Sequence, residues 1–222
     1  MRHRDTEVHG GSAAGDLLEI WLFDVDWQIP SNSSLTQATS IDVAEFDSDL
    51  CGTFSFSCIQ QPGGGDLDPI REAIMNRLQY FHHDDGVETL VGNLATDVTG
   101  SDDAGIRWFE LRRSGGAWQL HQEGTYTIDS DSRWMGASSM DSSKNIALAY
   151  SVSSTSTFPA LRYTGRLADD PLGVMTQSET SIVEGVTSQP FDRFGDYAAM
   201  GLDPTDDCTF WFTGEAVGNG GS

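Results

Sequence analysis

The feature that most constrains this chain is a repeated pair of strand-like segments that opens on an arginine. The clearest copy is Arg133 to Ser151, RWMGASSMDSSKNIALAYS, in which a polar turn separates two apolar halves. A second copy starts at Arg193, 60 residues later, and a weaker one at Arg77, 56 residues earlier. A repeat of this length is typical of proteins built from similar small sheets.

Alternating apolar segments, separated by Gly, Asp and Ser, predict short strands along most of the chain. In the repeated part the predicted strands are 77–82, 87–97, 105–113, 117–126, 133–140, 145–152, 159–167, 179–184, 193–202 and 208–215. Before the repeats the predicted strands are 2–9, 17–27 and 39–46. One short helix is predicted over Asp68 to Asn76, with Pro69 in its first turn.

About four strands per repeat predict an all-β chain, a β-propeller of four-stranded antiparallel blades. The blade-like units are 1–48, 77–126, 133–184 and 193–215, so about three to four blades are present. Since propellers have roughly four to eight blades, we expect a partial ring or a homodimer that completes it. Residues 1–222 then form one propeller domain or a fragment. An N-terminus without an apolar leader favours a fragment.

The charge of the chain excludes two classes of partner. The formal net charge is -22, and Lys144 is the only lysine. Nucleic acid and anionic membranes require a basic surface, so we expect neither as a partner. The acidity suits solubility, or carboxylates that hold calcium.

The cysteines indicate a compartment. Cys51 and Cys58 bracket a short loop, which a disulfide can close if the two ends face each other. Such a bond predicts an oxidising, extracytoplasmic setting. Cys208 is then left over.

The segments RWMG…MDSSKNIALAYS…LRYTGRLADDPLG and RFGDYAAMGLDPTDDCTFWFTGE resemble repeats of large secreted bacterial proteins whose propellers are similar to those of sialidases. The resemblance extends from about Leu17 to Glu215. Sialidase-like propellers carry an Asp-box, Ser-x-Asp-x-Gly-x-x-Trp, and Asp141 keeps the position of its aspartate. The resemblance implies a secreted, glycan-directed protein that binds an acidic saccharide or, as a glycoside hydrolase, cleaves it.

The resemblance also implies a role for the arginines that open the repeats. Arg77, Arg133 and Arg193, with Trp134 beside them, would converge near the axis and hold a substrate carboxylate, which a planar guanidinium matches. The alternative is that each arginine pairs with an acidic residue of a neighbouring blade. Acidic residues available for such pairs are Asp141, Asp196 and Asp203.

A sialidase-type mechanism further needs a tyrosine activated by a carboxylate, and an acid. Tyr197, with Asp196 or Glu215, is the candidate. Neighbours on a strand point to opposite faces, so Asp196 and Tyr197 would face apart. The alternative is an ordinary buried aromatic beside an aspartate that binds a turn.

Two sets of residues could bind a metal ion. The first is His3, Asp5, Glu7 and His9. These would share one face of strand 2–9, and their side chains suit zinc or manganese. The second set comes from the Asp-rich turns, represented by Asp203 and Asp206, which could hold calcium. The alternatives are a solvated strand face and ordinary turn chemistry.

Two main functions are therefore open. One is a glycan-directed propeller, and the other is a non-catalytic extracellular scaffold or adhesion module stabilised by Arg–Asp pairs and calcium. Arginines that converge in solvent favour the first, and arginines locked to acids favour the second. A metal-dependent hydrolase that uses the first strand is a weaker third.

Overall fold

The computed structural model describes residues 1–9, 15–52, 55–75 and 77–218. Within them, helical structure is limited to one turn at Thr6–His9 and one 3-10 turn at Pro30–Asn32. The prediction of an all-β chain is confirmed. No helix in this part of the chain is long and apolar enough to cross a membrane.

The strands of the described residues form four antiparallel sheets, in which consecutive strands are neighbours. Sheet 1 contains β1 (Arg2–Arg4), β2 (Asp16–Asp24) and β3 (Ser34–Val43). Sheet 2 contains β4 (Gln79–His82), β5 (Glu88–Asp97), β6 (Ala104–Arg113) and β7 (Gln119–Tyr126). Sheet 3 contains β8 (Ser132–Met140), β9 (Ile146–Ser153), β10 (Ala160–Arg166) and β11 (Thr180–Val183). Sheet 4 contains β12 (Ala199–Leu202) and β13 (Phe210–Thr213).

The four sheets pack against one another in chain order through apolar side chains. Leu18 of sheet 1 packs in one cluster with Phe109 of sheet 2, and Trp108 of sheet 2 in another with Leu148 of sheet 3. A third cluster joins sheets 3 and 4. Because strand side chains alternate between faces, sheets 2 and 3 are covered on both sides. The described sheets do not close into a ring, so the propeller stays a prediction.

The strands of sheets 2 and 3 lie within two residues of their predicted ends. Elsewhere the bounds differ more. In sheet 1, β2 ends at Asp24 and β3 begins at Ser34, and in sheet 4, β12 begins only at Ala199. The residues from Arg193 to Ala198 form a turn-rich loop instead of the start of a strand.

The helix predicted over 68–76 is wrong for 68–75, and Asn76 lies outside the described residues. The Asp68 carboxylate accepts a hydrogen bond from the N–H of Ile70 at 2.7 Å, which stabilises a turn. Ile70 and Glu72 have φ of 46° and 62°. These left-handed angles are incompatible with a right-handed helix.

The strand predicted over 2–9 ends at Arg4, because Asp5 caps a helical turn instead. Its carboxylate accepts hydrogen bonds from the N–H groups of Glu7 and Val8, both at 3.1 Å. This is the usual role of an aspartate at the start of a helix. The four residues of the first predicted metal set therefore do not share one strand face.

The predicted disulfide between Cys51 and Cys58 is confirmed, with the Cα atoms 5.1 Å apart. Cys51 packs in an apolar cluster with Leu50 and Trp134, and Cys58 lies against it. Cys208 is a free, exposed thiol.

Candidate functional sites

Arg133, in β8, is fully buried and lies at the centre of a charged cluster, here called the Arg133 network. Its Nε donates to Glu179 at 2.9 Å, and Nη1 donates to Asp129 at 2.8 Å and to the carbonyl of Asp131 at 2.7 Å. Nη2 donates to Asp129 and Glu179, each at 3.2 Å. All five N–H bonds of the guanidinium are therefore used within the protein.

The network also contains a tyrosine–carboxylate pair that sequence reasoning missed. Tyr150 of β9 is fully buried and donates its hydroxyl to Glu179 at 2.7 Å. Burial, and then the neighbouring Glu179, raise the pKa of Tyr150. The phenol is therefore held protonated, which disfavours its use as a nucleophile.

Arg162 of β10 completes the network at its solvent side. It donates to Glu179 at 3.0 Å and to both oxygens of Glu184 at 3.1 Å. Two arginines thus face four carboxylates, those of Asp129, Asp131, Glu179 and Glu184. A buried pair of this kind holds its strands together only while both partners are present.

The three repeat arginines do not occupy equivalent positions, contrary to the prediction. Arg133 is the second residue of β8, but Arg77 precedes β4 and Arg193 precedes β12 by several residues. Arg193 is about half exposed and pairs with Asp196, with Nε at 2.7 Å, and with Asp68 at 3.8 Å. Asp196 lies three residues from Arg193, so this is a local pair and not the predicted pair between neighbouring blades.

Trp134 was predicted to contact substrate, but its side chain is fully buried. It packs in the cluster that holds Leu50 and Ile59, with its ring 6.3 Å from that of Phe194. It therefore acts as a core residue in this arrangement, because a ligand in solvent cannot reach it.

The three predicted catalytic residues lie around the loop between Arg193 and β12. Asp196 and Tyr197 sit in a turn, where the argument from strand faces does not apply. Asp196 pairs with Arg193, while Glu215 accepts from the N–H of Gly195 at 2.9 Å. Tyr197 is 61% exposed, so it is not the buried aromatic of the alternative interpretation.

Tyr197 and Arg77 line one cleft of about 480 Å³, whose other lining residues are mostly apolar. Those residues are Met1, Ala73, Ile74, Met75 and Leu78. Arg77 is exposed, and no described residue forms an ion pair with it. Of the three predicted arginines, it is the one with a guanidinium open to an anionic ligand.

A larger cleft, of about 830 Å³, is lined mainly by carboxylates. These are Asp5, Glu7, Glu45, Asp47, Asp49 and Glu72. At its end Asp5, Glu7 and Asp16 lie close enough together to share a cation.

Asp5 and Asp16 already have protein partners, however. Asp5 accepts from the N–H and hydroxyl of Ser48 at 2.7 and 3.0 Å, in addition to its helix-cap bonds. Asp16 accepts from the N–H groups of Thr6 and Phe46 at 2.9 and 2.7 Å. Burial alone would raise the pKa of Asp5, but these hydrogen bonds lower it overall. The two carboxylates thus bind the N-terminal segment to the loop after β3, and calcium stays a prediction.

The two histidines of the first predicted metal set have different surroundings. His3 is buried, with its ring 5.7 Å from that of Phe46, whereas His9 is exposed. Burial, and then the nearby His9, lower the pKa of His3 to about 4. His3 is therefore a neutral core histidine, and neither residue belongs to the carboxylate group at Asp5.

Asp203 and Asp206 organise the turn between β12 and β13. Asp203 accepts from the hydroxyl of Thr205 at 2.6 Å and from the indole of Trp211 at 3.0 Å. Asp206 accepts from the hydroxyl and N–H of Thr209 at 2.6 and 2.9 Å, which lowers its pKa to about 2. This is ordinary turn chemistry, and no described metal-type cluster includes either residue.

Comparisons with protein-family models, with curated proteins and with solved structures found no match for this chain. The chemistry of these sites must therefore be argued from their own geometry. In that geometry the Arg77–Tyr197 cleft is accessible to a ligand, whereas the hydrogen-bond donors of Arg133 are all used within the protein.

Proposed function

We propose that this chain is a non-catalytic binding or scaffold module, built from blade-like sheets, that works outside the cytoplasm. Sheets 2 and 3, each a four-stranded antiparallel meander, would be blades of a partial propeller. The disulfide between Cys51 and Cys58 supports the extracytoplasmic setting, because such bonds persist in oxidising compartments.

One observation carries this proposal: the guanidinium of Arg133 has no donor left for a substrate. Its five N–H bonds are taken by Asp129, Asp131 and Glu179, and the side chain has no exposed surface. A substrate carboxylate could bind only by displacing Asp129 or Glu179 from the buried guanidinium. Displacing Glu179, whose side chain is 9% exposed, breaks a buried ion pair, which costs several kcal/mol, on the order of 3–5.

A second candidate function is favoured by the cleft that Arg77 and Tyr197 share. An open arginine beside an exposed aromatic ring matches a saccharide that carries a carboxylate, since the guanidinium binds the acid and the ring packs on the sugar. This keeps the glycan-directed proposal in a reduced form, with one arginine in place of three.

The non-catalytic proposal is tested with fluorogenic aryl glycosides of sialic acid and of glucuronic acid. We expect no hydrolysis above the buffer blank. Turnover that is lost in Tyr197→Phe and retained in Tyr163→Phe, a change at a similarly exposed tyrosine of β10, would overturn the non-catalytic proposal.

Saturable binding of a glucuronate oligosaccharide, measured by calorimetry, would support the second candidate only if it depends on Arg77. We then expect Arg77→Ala to weaken binding at least about tenfold, as loss of a charged contact does. The matched control is Arg193→Ala, which removes an exposed arginine already paired with Asp196.

A further inference from the structure

The outer half of the β2–β3 hairpin exposes an unusual number of large apolar side chains. This segment, 21–35, is here called the hairpin tip. Its exposed apolar residues are Trp21, Leu22, Phe23, Trp27, Ile29 and Leu35. Phe23 is 66% exposed and Trp27 is 88% exposed. Clustered exposure of this kind marks an interaction surface far more often than scattered single residues do.

Three of these side chains form a continuous stripe. Phe23 lies directly opposite Leu35 in the strand register, and Trp21 is on the same face of β2 two residues earlier. The face is the one opposite to Leu18 and Ile20, which pack in the cluster with sheet 2. The stripe is therefore on the side of sheet 1 that points away from the neighbouring sheet.

The backbone edge beside the stripe is also open. β1 pairs with β2 only from Leu17 to Glu19, so from Ile20 to Asp24 no described strand pairs with β2 on that side. Exposed edges are usually protected by lysine, proline or a bulge that turns the strand away. The segment Trp21–Phe23 carries neither lysine nor proline, and the register shift between Ile20 and Trp21 places its extra residue on β3 rather than on the open edge. The outer part of β2 therefore has both an exposed apolar face and an edge that no described strand pairs with.

The charge around the tip selects the kind of partner. The hairpin tip itself contains two carboxylates, Asp24 and Asp26, and no lysine or arginine. Asp24, at the end of β2, is exposed, and Asp42 is exposed nearer the base of the hairpin, opposite Leu17. Arg2 and Arg4 lie at the base of the hairpin, where both approach Glu19 within 4.0 Å. The tip therefore carries negative charge without a basic residue of its own.

We propose that the hairpin tip binds an extended cationic segment of a partner protein, which adds as a strand to the open edge of β2. Its main chain would pair with Ile20–Asp24, its apolar side chains would cover Trp21 and Phe23, and its basic side chains would face the carboxylates. A second copy of this chain fits less well, because two acidic tips would repel each other. This inference rests on the proposed function in one respect: it names the partner of a chain that is proposed to be a binding module.

The test uses a synthetic nine-residue peptide of alternating arginine and valine or phenylalanine, titrated into the full chain in 0.15 M salt. We expect saturable one-to-one binding by calorimetry. Phe23→Ser should weaken it at least about tenfold, as loss of a central aromatic contact does. Phe191→Ser, which alters a phenylalanine 73% exposed outside the hairpin, should leave it unchanged.

A second peptide separates strand addition from simple charge attraction. It has the same sequence, but alternate backbone nitrogens are methylated, so its charge is unchanged and its main-chain donors on one edge are lost. We expect its binding to be at least about tenfold weaker, since strand addition requires those donors.

The inference would be overturned by equal affinity for both peptides, by no binding of the first peptide, or by a dimer in light scattering that Phe23→Ser dissociates. A neutral oligosaccharide that displaces the peptide would also overturn it, by making the tip a sugar platform. None of these results bears on glycoside hydrolysis, so this inference and the proposed function can fail separately.

Discussion

Arg133 and His3 are both buried residues with ionisable side chains, and their surroundings shift their pKa values in opposite directions. Arg133 has a partner for every N–H, four of them carboxylate oxygens, so the hydrogen bonds raise its pKa although burial alone would lower it. His3 has a buried Nε2 with no hydrogen-bond partner, so burial dominates and the ring stays neutral. Arg133 therefore keeps its positive charge in the core, whereas His3 stays neutral there.

His3 should make the fold sensitive to mild acid. Its pKa is about 4 in the folded chain and about 6.5 in the unfolded one. Between these values the unfolded state binds more protons, so the free energy of unfolding should fall as pH falls from about 6.5 to 4. The full shift corresponds to about 3 kcal/mol. Other groups act on His3 too: His9 and Arg2 lower the pKa of its ring, and Asp5 and Asp16 raise it.

Urea unfolding at pH 7, 5.5 and 4 measures this effect in the wild type and in His3→Phe, which keeps an aromatic ring against Phe46. We expect the stability difference between them to shift in favour of the variant as pH falls. The control is His82→Phe, a change at an exposed histidine of β4. Parallel curves for wild type and His3→Phe would show that the ring titrates freely in the fold.

At the scale of elements, the loop closed by Cys51 and Cys58 has no regular structure of its own in its described part, yet its ends lie in a core cluster. The Arg71 guanidinium donates to the carbonyls of Leu50 and Gly52, which fixes one side of the loop. The repeated sheets are held by hydrogen bonds between strands, and the described residues between the two cysteines have none. We infer that the disulfide fixes the loop in place of such bonds.

Replacement of Cys58 by serine should therefore destabilise the chain. Closing a loop of this length is worth about 2.5 kcal/mol in the chain-entropy estimate. Cys208→Ser is the control, because Cys208 is free and exposed and should change stability by less than about 0.5 kcal/mol. Equal unfolding midpoints for the two variants in urea would contradict this account of the loop.

The elements that the sequence predicts well are those with local signals. The apolar segments of sheets 2 and 3, separated by turns such as Asp84–Gly86 and Ser114–Gly116, identify strands within two residues. The segments 2–9 and 68–76 fail because one aspartate in each, Asp5 or Asp68, binds nearby backbone N–H groups. Such side-chain capping competes with the regular pattern.

The Arg133 network could be predicted only in part, because its members are far apart in the chain. The repeat singles out Arg133, and the acidic composition predicts that it can pair with a carboxylate. Tyr150 and Glu179 were missed, since β9, β10 and β11 must be in register before the two side chains meet. Tyr150 and Glu179 are 29 residues apart, and the predicted strand positions alone do not show that their side chains meet.

At the scale of the whole molecule, the described chain is a series of four sheets joined through their faces, with sheets 1 and 4 at the two ends. The Arg133 network lies at one end of sheet 3, where the start of β8, the end of β9 and the residues before β11 meet. Its charges are therefore placed to hold the strands of sheet 3 together.

The most direct test of that claim is the free energy of unfolding of Arg133→Met, measured by urea denaturation beside Arg193→Met. The first change leaves Glu179 and Asp129 without their buried partner and should cost about 3–5 kcal/mol. The second removes an exposed pair and should cost less than about 1 kcal/mol. Wild-type stability in Arg133→Met, together with loss of acidic-saccharide binding, would contradict the account and return Arg133 to the role of a substrate-binding arginine.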